Sequence, residues 1–480
     1  MTVSRALAGF LLATFVAACG SDRRSTGGTG GDVGTTGATS GAQCTADGDC
    51  LTGNVCRSGQ CVAGTTGSTG STGSTGCLGA GEACQPATPC HVGVVTCVAT
   101  GGAACTDTGR ADPAQDGKSC GGGQVCSSGA CGSGGTTTSS HHAFPQVPNN
   151  GGSVLAAPDL VTITFDGYPY RADVEGYGDW LMTSSWLAAV GADYGVGKGR
   201  HLQKVHLPAS ALPSTTLTDE QVQSFLVNQF GKSLTPPSGT SPIYAVYLPQ
   251  GTSISMSGAS SCQDFGGYHG EIQSGPLDLA YAVLPLCSSP QGLSDLDYLE
   301  LAISHEVIEA ATDPFRSTMG FVVADQTDPW SYVPGEVGDL CVGAAPYQDS
   351  GHTAQRIWSN SAAAAGGDPC VPRAGTEYVN VSPDAAGFVQ AAVGSTVKIK
   401  LTGWSAGGTT PWALQATPGQ SSFMPGFSLD AHSLRDGSVA TATFTVPAGT
   451  QSGNFATVLI LSSTDGFASY NLWPVGVYVP

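Results

Sequence analysis

Positive charge is scarce in this chain: 17 Lys and Arg stand against 36 Asp and Glu in 480 residues, a formal net charge of −19. Nucleic-acid partners need basic patches, so that class is excluded. Charged residues of either sign make up only 11%. The acidic balance suits solubility or cation binding and says nothing about fold. Long apolar runs are missing too. The N-terminal run, Ala6 to Ala17, is too short to span a membrane as a helix. Residues 157–373 lack a Gly-x-Ser-x-Gly elbow, and pairing or lipid accounts for every cysteine, so no Ser or Cys nucleophile is expected there.

What the N-terminus does contain reads as an export signal. Arg5 precedes the apolar run, and Val16-Ala17-Ala18-Cys19 has the small residues of a lipoprotein cleavage site. The expectation is a signal peptide over 1–18, a lipidated Cys19, and a membrane partner reached through that lipid. The protein then sits in the cell envelope, periplasmic or at the cell surface. Reserving Cys19 leaves 16 of the 17 cysteines, an even number. Twelve fall between Cys44 and Cys131, and Cys262, Cys287, Cys341 and Cys370 lie in the main body. An exported chain with an even remainder implies disulfides of undetermined connectivity. Zinc binding by the N-terminal cysteines is the rival, weakened by the lack of C-x2-C pairs among Cys44, Cys50, Cys56 and Cys61.

Composition divides the rest. Residues 19–43 are a flexible tether of Gly, Thr and Ser, and 44–131 are cysteine-rich modules in which Gly-x-Val-Cys-x-Ser-Gly-x-Cys occurs twice. Their low apolar content suits a disulfide-held stalk. Residues 132–156 read as a loose linker, with His141 and His142 in solvent. Over 157–373 strand patterns (159–165, 204–207, 243–248, 280–284) interleave with helix patterns (173–190, 218–230, 295–312), which predicts an α/β layered domain. His206 falls in a strand pattern, and Trp330, Tyr332 and Trp358 read as packing aromatics. From 374 to 480 short strands recur without helices, which predicts an all-β sandwich of immunoglobulin-like size in an accessory role.

The chemistry concentrates in Ser304-His305-Glu306-Val307-Ile308-Glu309, followed by the helix exit Asp313-Pro314. His305 and Glu309 share one helix face at i and i+4. This is the zinc-protease helix H-E-x-x-H with its second His replaced by Glu. A catalytic zinc takes three protein ligands and a water. His305 and Glu309 supply two, and Glu306 is the candidate general base. The third ligand is open between Asp339 and Glu336, both in Glu336-Val337-Gly338-Asp339-Leu340-Cys341, with His269 and His352 as further candidates. A carboxylate-rich set also leaves calcium or manganese open. Two acids near a helix C-terminus oppose the macrodipole, so a cation nearby would relieve them. The plainer alternative is that these three side chains only solvate or cap a helix face.

Leu301-Ala302-Ile303-Ser304-His305-Glu306, running on to Thr312-Asp313-Pro314-Phe315, resembles the corresponding helix of the phosphate-induced protein (EXORDIUM-like) family. Tyr268-His269-Gly270 between Cys262 and Cys287 is similar to that family's Cys…His-Gly segment. Bacterial proteins similar to this one carry the Ser-His-Glu…Thr-Asp-Pro run followed by Glu-x-Gly-Asp-x-Cys, matched here at 336–341. The resemblance covers about residues 159–372 and implies a fold more than a reaction, because plant members tend to lack the His-Glu pair.

The expectation is therefore a multidomain lipoprotein with a disulfide-rich stalk, a zincin-like or EXORDIUM-like α/β domain and a C-terminal sandwich. Its leading function is metal-dependent hydrolysis of a peptide or cell-surface substrate. The alternative is a non-catalytic binding or adhesion lipoprotein in which the His-Glu helix is structural.

Overall fold

The computed structural model describes residues 139–480 except 235–241, 275–276, 290–291, 316, 374–376 and 408–409. Before 139 it describes the segments 54–57, 60–63, 83–84, 86–98, 102–112, 115, 119–121, 124–127 and 130–133. The expected signal peptide, the lipidation site Cys19 and the first tether lie outside the described residues. One compact unit, within 14–80 and 97–103, contains an antiparallel hairpin of Asn54–Arg57 with Gln60–Ala63. The other holds everything that follows here. The chain is a multidomain, β-rich protein with several disulfides. Among the described residues no helix is long and apolar enough to cross a membrane.

In the cysteine-rich segment Cys84 joins Cys105, Cys90 joins Cys126, and Cys120 joins Cys131. These thiols are spent on sulfur, which removes the zinc reading for them. The disulfides mark an extracytoplasmic protein.

The central domain is built on a five-stranded sheet. Its elements are β1 (Asp159–Phe165), α1 (Arg171–Thr183), α2 (Ser185–Val190), β2 (Arg200–Leu207), α3 (Asp219–Gln229), β3 (Pro242–Tyr247), β4 (Tyr268–Ser274), β5 (Leu277–Leu284) and α4 (Asp295–Thr312). The strand order is β2-β1-β3-β5-β4. All pairs are parallel except the β4–β5 pair, so β4 is an antiparallel edge strand. β3 is buried at all six positions because both faces are covered. Ile243, Ala245 and Tyr247 join the core under α1, α2 and α4, while Tyr244 and Val246 join the core under α3.

Two local expectations change. The pattern over 173–190 is not one helix. Ser184 takes an extended backbone conformation, and its Oγ accepts the Leu187 N–H at 3.0 Å, which caps a second helix. The edge strand β4 was not expected at all, because Gly-Tyr-His-Gly-Glu lacks an apolar alternation.

The C-terminal region comprises β6 (Tyr378–Pro383), β7 (Thr396–Ala406), β8 (Trp412–Ser421), β9 (Gly426–Leu429), β10 (Val439–Thr445), β11 (Phe455–Ser463) and β12 (Asn471–Tyr478). One sheet runs β6-β7-β10-β9. The other runs β12-β11-β8, flanked by Val389–Gln390 and Ser433–Leu434. β10 alternates buried and less buried positions as a one-sided strand should. β11 does not: eight of its nine residues are buried. Its second face is covered by the central domain, and a single hydrophobic core runs through both regions. The sandwich is therefore not a detached accessory.

The supposed loose linker is part of that core. Phe144 is 5% exposed and Val147 is fully buried. The Phe144 ring lies 5.4 Å from Trp358, 5.4 Å from Trp473 and 5.7 Å from Trp404, between the two regions. His141, expected in solvent, stacks on Trp404 at 3.8 Å and 12° and bonds the Gly366 carbonyl. Composition hid this because one Phe among polar neighbours carries no periodicity. Trp330 and Trp358 pack in the same core, and Tyr332 packs on Phe455. His206 is an edge-strand residue paired with Glu175.

Candidate metal centre

Helix α4 delivers three of the site residues. Ser294 caps it by accepting the Asp297 N–H at 3.0 Å, and Asp295 and Asp297 suit the positive end of the dipole. Asp313-Pro314 ends it. Every residue from Ala302 to Thr312 is buried, since the sheet covers one side of the helix and the chain after residue 333 the other.

His305 and Glu309 meet as the i, i+4 spacing requires, with Nε2 to Oε2 at 3.0 Å. Asp339 Oδ1 approaches His305 Nε2 at 3.8 Å. The three are 1–4% exposed. Asp339 sits in a short 3-10 turn, Asp339–Cys341, and the Cys341–Cys370 disulfide anchors the end of that turn. The remaining main-body pair, Cys262 and Cys287, is also bonded.

His269 on β4 closes the other side. Its Nδ1 lies 3.3 Å from Glu306 Oε2 and 3.5 Å from Glu309 Oε2, and its Nε2 lies 3.5 Å from Glu336 Oε1. All four expected acids thus converge, together with His269. His352 does not join them: it pairs with Glu300 at 3.0 Å.

Two supporting groups carried no sequence signal of their own. Gln355 Oε1 lies 3.1 Å from His305 Nδ1, while its side-chain amide donates to the Gly338 carbonyl at 2.7 Å. Gln355 is fixed in turn by its N–H to Ser304 Oγ and by the Trp186 indole on its carbonyl. Holding one imidazole nitrogen leaves the other facing Glu309 and Asp339. The backbone N–H groups of Gly338 and Asp339 donate to Glu309 Oε1 at 3.0 and 3.1 Å. A Cβ at 338 would sit 2.7 Å from both Glu309 Oε1 and His305 Nδ1, which gives a physical reason for the Gly in Glu-x-Gly-Asp.

The charge balance is poor without a cation. Burial opposes ionisation of His305, yet Glu309, Glu306 and Asp339 outweigh it and raise the imidazole well above its ordinary value. His269 is raised likewise, with Glu336 the chief acid against its burial. Burial, with Glu309 beside it, pushes the Asp339 carboxyl well up. Burial also raises Glu309, although His305 opposes the shift. Asp339 Oδ2 is buried with no hydrogen-bond partner among the described residues.

Bonds of about 2.0–2.2 Å at tetrahedral angles place ligand atoms roughly 3.3–3.6 Å apart. His305, Glu309 and Asp339 offer atoms within 4.8 Å of one another, and so do His269, Glu309 and Glu336. Each trio offers three donor atoms that would have to draw together to ligate one divalent ion. Asp339 also borders an apolar cavity of about 210 Å³ lined by Tyr332, Val342, Leu459, Leu461 and Leu472. A polar cavity of about 360 Å³, lined by Asp219, Gln223 and Glu271, reaches His269.

No family model matches the sequence, and no curated protein matches it. Among solved structures the chain is similar to domains 4 and 5 of the S-layer protein SbsC, at 19% identity over 22% of this chain and 54% of that one, with a TM-score of 0.16. It thus spans about half the length of that chain. It is also similar to the archaellum periplasmic stator protein FlaG from Sulfolobus acidocaldarius, at 18% identity over 21% of this chain and 97% of that one, with a TM-score of 0.14.

Proposed function

We propose that this protein is a lipid-anchored cell-envelope hydrolase. Its zincin-like central domain would hold a divalent metal, zinc foremost, and cleave peptide bonds. The observation that carries the reading is the buried meeting of His305, Glu309 and Asp339, with an unsatisfied Asp339 oxygen. A metal there would acidify water and polarise the substrate carbonyl. Glu306, adjacent and held by His269, takes a proton from the attacking water. The water oxygen bonds the carbonyl carbon, the C–N bond breaks, and Glu306 passes the proton to the departing nitrogen. The products are a carboxylic acid and an amine, which exchange a proton at neutral pH to give carboxylate and ammonium. As an edge strand of the sheet, β4 would offer main-chain groups to an extended peptide beside His269.

The competing reading is a non-catalytic adhesion lipoprotein. It is favoured by the burial of His269, His305, Glu306, Glu309 and Asp339, which leaves Glu336 as the most exposed member. Glu306→Gln separates the two. The hydrolase reading expects metal content to survive while cleavage of a mixed peptide library falls by about 10²–10⁴-fold. A wild-type protein that binds no zinc, manganese or calcium after purification and reloading would sink it.

A further inference from the structure

The two ligand trios share one residue. Glu309 Oε2 faces His305 Nε2 at 3.0 Å and His269 Nδ1 at 3.5 Å, while Oε1 is held back by the Gly338 and Asp339 N–H groups. One carboxylate oxygen therefore looks toward both imidazoles, and each imidazole has its own second acid. Asp339 serves His305, and Glu336 serves His269.

We infer that the centre is dinuclear: one divalent ion lies between His305, Glu309 and Asp339, a second lies between His269, Glu309 and Glu336, and Glu309 is common to both. This rests on the metal reading above and extends it from one ion to two.

Charge supports the pairing. Four carboxylates (Glu306, Glu309, Glu336 and Asp339) lie within 4 Å of the two imidazoles. A single divalent ion would leave a buried excess of two negative charges if both imidazoles were neutral ligands. Buried uncompensated charge is costly, and two divalent ions cancel it. The nearby Asp313 is already engaged by the Gly320 N–H at 2.7 Å. In the first trio the two contacts of His305 Nε2, at 3.0 and 3.8 Å, lie on either side of the ligand–ligand distance of a first-row metal site. In the second, Glu309 faces His269 Nδ1 and Glu336 faces Nε2, and one donor atom from each residue lies within 4.8 Å of the others, so the acids must close on a single ring nitrogen. The two positions are not equivalent. Every member of the first trio is at most 5% exposed, whereas Glu336 is 22% exposed, so the second ion exchanges more readily.

The test is metal stoichiometry of the chelator-stripped protein, reloaded with zinc or manganese and read by elemental mass spectrometry. Wild type is compared with Glu336→Gln, a change at a half-buried side chain that keeps the shape of the residue. His269→Ala serves as a second variant, with circular dichroism as the folding control. Two ions per chain in wild type, falling to one in Glu336→Gln, is the expected result. Manganese-loaded wild type should then give a spin-coupled electron paramagnetic resonance signal that the variant lacks. One ion in both proteins overturns the dinuclear centre and leaves the hydrolase reading standing. Two ions in both place the second elsewhere and overturn it as well, as does one ion in wild type and none in the variant. No ion in wild type overturns both readings.

Discussion

The Gly338 backbone reaches Glu309 closely enough to donate its N–H to Oε1 at 3.0 Å, and that approach leaves no room for a side chain. A methyl at 338 would press on Glu309 and His305 together. Gly338→Ala is expected to cost about 1–3 kcal/mol of metal-free stability by overpacking. It should also weaken metal binding, because both ligands must shift. Thermal melts with chelator, beside zinc titration calorimetry, measure the two effects separately.

Gln355 holds the far nitrogen of His305 at 3.1 Å. Gln355→Leu removes that hold while filling a similar volume. Loss of such a supporting contact is expected to weaken metal affinity by about 10–100-fold. A competition assay with a chromogenic chelator reads this directly, and unchanged affinity would show that packing alone orients the imidazole.

Burial pushes the Asp313 carboxyl up to about 6, despite the Gly320 N–H that it accepts. The folded state thus binds this proton more tightly than the unfolded chain does. Stability from this group is present below the ordinary carboxylate value and is lost as pH rises from about 4 to about 6. Asp313→Asn keeps an acceptor for Gly320 and removes the titration. Relative to wild type in chelator, it should gain about 1–3 kcal/mol between pH 4 and pH 7. Denaturant melts across that range check it, and a flat difference would contradict the assignment.

Phe144 fills the space among Trp358, Trp404 and Trp473. Phe144→Ala is expected to cost about 3–5 kcal/mol. Because the core is continuous across both regions, calorimetry of the wild type should show one transition for residues 139–480. In the variant that transition should move down without splitting.

Much of the central domain was legible because parallel strands buried on both faces leave continuous apolar runs, as in Ile243 to Leu248. The helix carrying His305 was legible from its residue pattern and its Asp-Pro exit. The His-Glu-x-x-Glu spacing and the Glu-x-Gly-Asp-x-Cys run pointed to residues that do converge. What could not be read was long-range. His269 comes from a strand with no apolar alternation, and Gln355 is one polar residue in a polar stretch. Phe144 acts through five aromatics scattered between 330 and 473. The double burial of β11 was written in its unbroken apolar run Val458–Leu461, but nothing local tells which surface covers the second face.

The Phe144 plug fixes where the folded body begins. A chain started at residue 153, where the Gly-rich stretch ends and a domain boundary would naturally be drawn, leaves an aromatic-walled hole at the seam between its two halves. Cutting after residue 373 would strip β11 and β12 from the surface that covers them and lay bare a broad apolar face. Such fragments should be recovered as aggregates, and their inactivity would carry no information about the metal centre. For this protein the smallest honest unit of experiment starts before His141 and runs to Pro480.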